Sequence, residues 1–549
     1  MPAAAATAAA SLRGWQEQAL VAMRTWSASP ERPFLIAAAP GAGKTRPALE
    51  LARERLTSGV TRRVIVVCPT GPLTRQWARA AAVLGIQLQP DAEDPRPPRG
   101  FHGISVTYAR VAQAGARWRR LVGSGALVIA DEVHHLGDEL AWGAGFDAAF
   151  GMTRESWLLL SGTPFRSDQA AIPGVLYDDG LAHSDVSYTY ADAVRDGVCR
   201  PVTFIPYDGR LQWRSGDDVV EASFSDVLSG REAGRRYRTS ISVELPDGLP
   251  RILREAHERL ERLRAGGHRE AGALVVAADG EHARAIAKVL REVAGRAPVV
   301  VLHTDPRAAE KLEAFTGSRD PWIVAVNMVS EGVDIPRLRV GVYATAAKTP
   351  LMFRQIVGRF VRTIPGRAVE PSWLYLPADP VLRAHAADVE TELRHLLRPP
   401  DEDDPEALDE LRVRRETEPD EAPAFVPVAA EVTPQSQLSL FGAPAAPVVT
   451  AMRFAAPPPP PPPPPHSPLP PGVGAEGDDE AGLPAFERRA LLRDKRRRLV
   501  GELARRDRRT HADINSWLNR QAGVDRVQDA TLDQLERSCE LLLRALTRR

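Results

Sequence analysis

Eight residues, Ala38-Ala39-Pro40-Gly41-Ala42-Gly43-Lys44-Thr45, restrict the fold of this chain more than any other stretch. An apolar run at 34–39 enters them, and a helical pattern over 47–56 leaves them. Strand, glycine-rich turn and helix N-terminus form an α/β unit that holds a polyphosphate. Backbone N–H groups without helical partners point at the phosphates, and the helix dipole favours their charge. Gly41 and Gly43 turn the chain where a Cβ would collide, with Ala42 between them in the same cradle. Lys44 reaches the β- and γ-phosphates, and the Thr45 hydroxyl sits on Mg²⁺. Pro47 is tolerated because its missing N–H belongs to the first helical turn. The stretch reads as a nucleotide site.

Around it, apolar runs alternate with helical patterns, which predicts a parallel sheet covered on both faces. The run 63–68 ends in Pro69-Thr70 and leads into a helix carrying Leu73, Arg75, Gln76 and Trp77. A strand over 104–108 contains Thr107. The run 126–130 delivers Asp131-Glu132-Val133-His134-His135, and 157–160 delivers Ser161-Gly162-Thr163-Pro164. Carboxylates at the C-terminal end of a strand stand where α/β sheets place ligands. Upstream, a short helix with Leu12, Trp15 and Leu20 on one side carries Gln16, either a solvated residue or a primary amide for the adenine edge. The rhythm resumes at 273–277, 281–293, 299–302, 322–326 and 340–344, a second sheet without its own phosphate loop. Residues 177–264 between the two sheets read as a connecting region with some strand content.

A formal net charge of zero over 549 residues conceals opposed regions. Residues 401–421 are strongly acidic, and a proline run at 457–465 follows, so 399–483 reads as a disordered acidic and Pro-rich linker. Residues 484–549 read as three helices forming a small basic module, suited either to a phosphate backbone or to a protein partner. Its third helix opens on a capping box, Thr531 with Gln534. Residues 1–10 read as a disordered leader without signal-peptide character. Cys68, Cys199 and Cys539 are too scattered for a zinc cage or a disulfide framework, which suits a reducing cytoplasm. No apolar run approaches the length of a membrane span.

Two constellations carry chemistry. In the first sheet, Asp131 can hold the Mg²⁺ shell while Glu132 orients and deprotonates an attacking water. In the second, Gln355-Ile-Val-Gly-Arg359-Phe-Val-Arg362 sets two guanidiniums about one helical turn apart on one face. Planar, permanently charged forks suit the charge spread over a γ-phosphoryl group in its transition state.

Taken in order, these motifs resemble the DExH type of superfamily 2 helicases, close to the branch that includes the type III restriction helicase subunit. The likeness covers roughly residues 12–390. Residues 38–45 resemble motif I, Pro69-Thr70 motif Ia, and Asp131-Glu132-Val133-His134 motif II. Ser161-Gly162-Thr163 resembles motif III, residues 330–336 motif V, and 355–362 motif VI. The resemblance implies two tandem RecA-like domains, at 11–176 and 265–398, with ATP in the cleft between them and nucleic acid along the outer edge. It implies that Gly332 and Asp334 contact the nucleotide and that Ser161 and Thr163 link hydrolysis to movement. Thr70, Arg75 and Thr107 become candidates for the strand backbone. Asn327 and Met328 stand where motif V usually carries a hydroxyl, a departure from the pattern. The Trp-Gln context of Gln16 and the DEVH sequence favour DNA over RNA.

Overall fold

The computed structural model describes residues 11–28, 31–92, 96–113, 115, 118–119, 125–138, 140–162, 172–178, 181–215, 218–302, 304–326, 335–364, 366–397, 425–434, 483–524 and 526–547. Contacts divide the chain into two units. The first takes in Gly43–Ser187, the segment up to Ala38 and Pro457–Arg549; the second takes in Tyr188–Ala456 and the four residues Ala39–Ala42.

In the first unit, helix α1 (Gly14–Ala28) precedes strand β1 (Phe34–Ala38), and helix α2 (Thr45–Thr57) follows. Then come β2 (Arg63–Cys68), α3 (Gly71–Val83), β3 (Leu88–Gln89), β4 (Gly103–Thr107), β5 (Ala126–Asp131) and β6 (Trp157–Ser161). A short antiparallel pair, β7 (Leu176–Asp178) and β8 (Leu181–His183), precedes β9 (Val186–Tyr188). The sheet order is β3-β4-β2-β5-β6-β1-β9. The pairings from β3 through to β1 are all parallel. Every residue of β1, β5 and β6 is buried, as it must be in a sheet covered on both faces, and this is why those strands read as unbroken apolar runs. Aromatic side chains fill one side of the sheet, with Phe146 centred 4.9 Å from both Phe150 and Trp157. The topology puts the C-terminal ends of β1, β5 and β6 side by side, so residues more than a hundred positions apart share one edge.

The second unit begins earlier than the sequence suggests. Residues 177–264, expected to be a connection, supply β10 (Val202–Ser215), β11 (Asp218–Ala222) and helix α4 (Leu249–Ala265). After these come β12 (Gly272–Ala277), α5 (Gly280–Ala294), β13 (Val299–Val301), β14 (Trp322–Val326), β15 (Leu338–Ala344), α6 (Pro350–Phe360) and β16 (Ser372–Pro377). The order is β11-β10-β16-β15-β12-β14-β13. β10 runs parallel to β16 from Val202 to Tyr207 and then continues outward to pair antiparallel with β11. A strand that serves two partners along its length shows no single clean periodicity, which hid it from pattern reading. A second departure is β17 (Phe425–Pro434), inside the stretch expected to be a linker, which pairs antiparallel with β10 from Tyr207 to Ser215. Its sequence, FVPVAAEVTP, alternates well enough for an edge strand, and its prolines are confined to positions an edge tolerates. The acidic run and the proline run flanking it, and the leader at 1–10, lie outside the described residues.

The C-terminal helices α7 (Ala485–Asp507), α8 (His511–Ala522) and α9 (Leu532–Thr547) group with the first unit. Val500, Leu503, Ile514, Leu518 and Leu542 form the centre of the module. The capping box is present: Gln534 N–H donates to Thr531 Oγ1 at 3.2 Å and Thr531 N–H to Gln534 Oε1 at 3.0 Å. Thus the two tandem RecA-like parallel-sheet domains and the terminal helical module are all there, with more sheet in the second domain than its sequence announces.

Candidate active site

The phosphate loop obtains its shape from two left-handed glycines, Gly41 at φ +81° and Gly43 at φ +89°. An L side chain at either would be strained. The Ala42 N–H donates to Ala39 O at 3.0 Å, tightening the turn ahead of α2, whose first residue is Thr45. Gln16 is buried on α1 and braces the loop: its Nε2 donates to Gly43 O at 2.9 Å, while its Oε1 accepts from Arg13 N–H at 2.9 Å. One amide hydrogen and one oxygen lone pair remain for a base edge. Gln16 thus ties the loop to the first helix, a role its sequence context did not reveal.

Lys44 folds back toward the strand ends. Its ammonium lies 3.2 Å from Glu132 Oε1 and 3.5 Å from Ala38 O, with its side chain only 10% exposed. Glu132 follows the end of β5 in the left-handed region at φ +50°, uncommon for a residue with a side chain. That turn aims its carboxylate across to the end of β6, where the Gly162 N–H donates to Glu132 Oε2 at 3.1 Å. Glycine at 162 leaves room for this pair: a Cβ there would come within 3.2 Å of Glu132 Oε2 and 3.3 Å of Lys44 Nζ and oblige those side chains to shift. Ser161 is fully buried, with Oγ 3.3 Å from His134 Nδ1. Motif II is therefore wired to motif III through one backbone and one side-chain contact. Thr163 lies outside the described residues.

Asp131 ends β5 almost completely buried. Trp77 Nε1 donates to its Oδ2 at 2.8 Å and the Glu132 N–H to its Oδ1 at 3.1 Å, while Tyr108 Oη donates to its backbone carbonyl at 2.8 Å. Trp77 fixes the carboxylate and Tyr108 the backbone that carries it, and nothing in the spacing of either marked it for that task. Burial and the neighbouring Glu132 charge push the Asp131 carboxyl upward. Burial acts the same way on Glu132, but the charge and hydrogen bond of Lys44 overcome it and hold Glu132 down. Adjacent carboxylates are thereby separated, one firmly ionised and the other in need of a cation. His134 is kept neutral by burial, with its pKa lowered to about 3.

The donor set fits Mg²⁺. That ion is usually held by one or two carboxylates together with substrate phosphates, and a desolvated Asp131 within reach of the Lys44 charge supplies that share. Among the described residues, no group of three or more His, Cys, Asp or Glu could hold a metal on its own.

In the second unit, Thr349 caps α6 by accepting from Met352 N–H at 3.3 Å, and the helix ends at Phe360. Gln355 and Arg359 lie one turn apart on α6, with Arg359 buried. Arg362 is past the helix end, in an antiparallel bridge with Cys199, so the expectation that both arginines share a helix face is corrected. Within this same unit Gly358 packs on Pro40, where a Cβ would sit 2.7 Å from Pro40 Cβ; one at Gly41 would sit 3.3 Å from Arg362 Cγ. Gly332 and Asp334 lie outside the described residues.

The three strand-contact candidates stand at the ends of β2 and β4 and the start of α3. Arg75, half exposed, pairs with Asp91 at 2.8 Å. Thr107 Oγ1 accepts from Arg110 N–H at 3.4 Å, and Thr70 Oγ1 is buried with no hydrogen-bond partner.

Comparison with known proteins agrees with this arrangement. Residues 9–166 match the family described as "Type III restriction enzyme, res subunit", and 256–363 match "Helicase conserved C-terminal domain". Through these two segments the chain is similar to superfamily 2 helicases of the type III restriction branch. Uncharacterized protein ML1624 of Mycobacterium leprae is 42% identical over 402 residues, covering 71% of this chain and 65% of that protein. Uncharacterized protein Rv2917 of Mycobacterium tuberculosis is 42% identical over 399 residues with the same coverage. The chain spans just under two thirds of the length of these relatives. Among solved structures, a fragment assigned as an HsdR subunit of a type I restriction enzyme from Vibrio vulnificus aligns at TM-score 0.49 and 16% identity, covering 69% of this chain and 67% of that one. No described helix is long and apolar enough to cross a membrane.

Proposed function

We propose that the chain is a nucleic-acid-dependent ATPase that moves along or separates strands of DNA. The observation that carries the reading is the Lys44–Glu132 pair beside a desolvated Asp131 at one sheet edge. Such an edge needs a polyphosphate for the lysine, a cation for the aspartate and a water for the glutamate. Gly41, Ala42, Gly43 and Lys44 hold the phosphates, and Gln16 reads the base. Thr45 and Asp131 would hold Mg²⁺, which would neutralise phosphate charge. Glu132, firmly ionised, orients the attacking water and accepts its proton. Arg359 and Arg362, with Gln355, meet the charge that develops on the transferred phosphoryl group; an arginine in that role is worth about 10³–10⁵ in rate. Gly332 and Asp334 belong to the same nucleotide site by their place in motif V. Ser161 and Thr163 relay its state, and Thr70, Arg75 and Thr107 contact the strand backbone.

DNA is favoured over RNA by the Trp-Gln setting of Gln16 and by the DEVH sequence. ATP turnover measured against single- and double-stranded DNA and RNA tests this. Stimulation by RNA alone would transfer the activity to RNA, and turnover indifferent to every nucleic acid would end the motor reading. The match to a restriction-enzyme subunit family supports a second reading, a translocase on duplex DNA within a restriction or phage-defence complex. Clear unwinding of a forked duplex by the protein alone would exclude it.

A further inference from the structure

The basic character of the C-terminal module resides in one helix. Residues 485–509 carry 11 Arg and Lys against 4 Asp and Glu, whereas 510–549 carry 6 of each. Ten of the eleven cations are arginines. The helix that bears them, α7, sorts them by depth. Arg489 and Arg496 are buried and serve the fold: Arg489 donates to Ala530 O at 3.2 Å and Arg496 to Asn519 Oδ1 at 3.1 Å. Arg493, Arg497, Arg498, Arg505 and Arg508 are exposed. Spacings of four, one and seven residues keep the first four on one side of the helix over about 18 Å of its length, and Arg508 follows just past the helix end.

The module is also fixed in place within the first unit. Arg489 Nη1 donates to Gln89 Oε1 on β3 at 3.2 Å, and Arg79 on α3 pairs with Glu487 at 2.7 Å. Arg79 lies one helical turn from Arg75, the candidate strand contact. The basic stripe therefore starts beside the surface where the proposed strand path runs, and extends it.

We infer that the exposed arginine face of α7 is a second phosphate-backbone site for nucleic acid, continuous with the Thr70–Arg75 surface. The inference rests on the reading that the chain acts on nucleic acid. Three features select a polyphosphate over an acidic protein. Guanidinium forks match phosphate oxygens two at a time. The stripe length corresponds to about five base pairs at ~3.4 Å each. A protein interface is built around an apolar core, and the exposed large apolar side chain on this helix is Leu491 alone. Arg497 and Arg498 share Asp494, an exposed pairing that a phosphate readily replaces.

The test compares full-length protein with the triple variant R497A/R498A/R505A, using fluorescence anisotropy on a labelled duplex and single strand of about 30 residues, over roughly 50–200 mM salt. The expected result is a salt slope on duplex shallower by about 2–3, near 0.9 for each phosphate no longer neutralised, and affinity weaker at least tenfold at the lowest salt. The triple lysine variant R497K/R498K/R505K should recover most of the slope, and thermal midpoints of all three proteins should agree because the side chains are exposed. Unchanged slope and affinity in the alanine variant would overturn the inference and assign the face to a protein partner. The failure of the motor reading looks different: ATP turnover of the parent unresponsive to nucleic acid, while anisotropy still registers binding that the triple variant weakens.

Discussion

Replacing Glu132 by Gln isolates one link of the proposed mechanism, because shape, hydrogen-bond reach and the left-handed backbone at 132 are retained while one charge is removed. In the parent, Lys44 and Glu132 attract across 3.2 Å. At an effective dielectric of ~20 that attraction is about 5 kcal/mol, and desolvation of the two groups offsets most of it, leaving a net of roughly 1–2 kcal/mol. A triphosphate that takes over Lys44 has to break this pair, so the net term opposes binding. Without it, nucleotide affinity should improve by roughly 5–30-fold. Turnover should fall by about 10²–10⁴, the usual worth of a general base. The Gly162 N–H can still donate to the amide oxygen of the replacement side chain, so the folded structure should survive, which a circular-dichroism melt verifies. Equilibrium binding of a fluorescent ATP analogue and steady-state ATP turnover give the two numbers. Affinity that falls together with turnover would refute the reasoning, since Glu132 would then be a binding group; undiminished turnover would remove it from the chemistry altogether.

Lys44→Ala should weaken both nucleotide binding and turnover, whereas Arg359→Ala should spare binding and lower kcat by about 10³ or more, read from binding isotherms beside initial rates; equal losses of affinity would mean that Arg359 is misassigned. Gly43→Ala puts a side chain at φ +89° with its Cβ 2.9 Å from Gln16 Nε2. The left-handed conformation costs about 1–2 kcal/mol and the displaced hydrogen bond about 1 more, so nucleotide affinity should drop at least tenfold, and a titration showing no drop would place the phosphates elsewhere. His268 in the second unit accepts from Arg339 at 3.0 Å and is pressed down to about 4 by burial, with Arg367, Arg339 and Arg200 adding to the effect against Glu370. A histidine lowered on folding is protonated first in the unfolded chain, so its contribution is intact above the ordinary value of 6.5 and is lost as pH falls from there toward 4. Chemical denaturation at pH 7 and pH 5 should differ by about 1–2 kcal/mol from this group, and His268→Gln should remove that part of the difference.

How much of this was legible in the sequence follows from the range of the forces involved. Glycine at 41 and 43, the order of the apolar strands and the carboxylates at the end of β5 are local constraints, since dihedral sterics and alternation of burial act on neighbours in the chain. They sufficed for two RecA-like domains and for the identity of the nucleotide loop. The capping box at Thr531 and Gln534 was equally plain, because its partners are three residues apart. Other features were set by residues distant in the chain and were decided only on folding. β10 divides its length between β16 and β11, so its burial pattern obeys neither partner alone. β17 is a strand because β10 offers it an edge; its own prolines argue otherwise. Arg362 leaves the helix of Arg359 because Cys199 bridges it, which no periodicity records. Trp77 and Tyr108 became supports of Asp131 through the parallel pairing of β2, β4 and β5. The sequence by itself determined which groups can hold a triphosphate, since that depends on residue type and short-range geometry. Tertiary structure decided that Lys44 rests on Glu132, that Gln16 braces the loop and that Arg489 and Arg496 of α7 turn inward while Arg493, Arg497, Arg498 and Arg505 stay exposed, because each depends on contacts whose partners only the folded chain brings within reach.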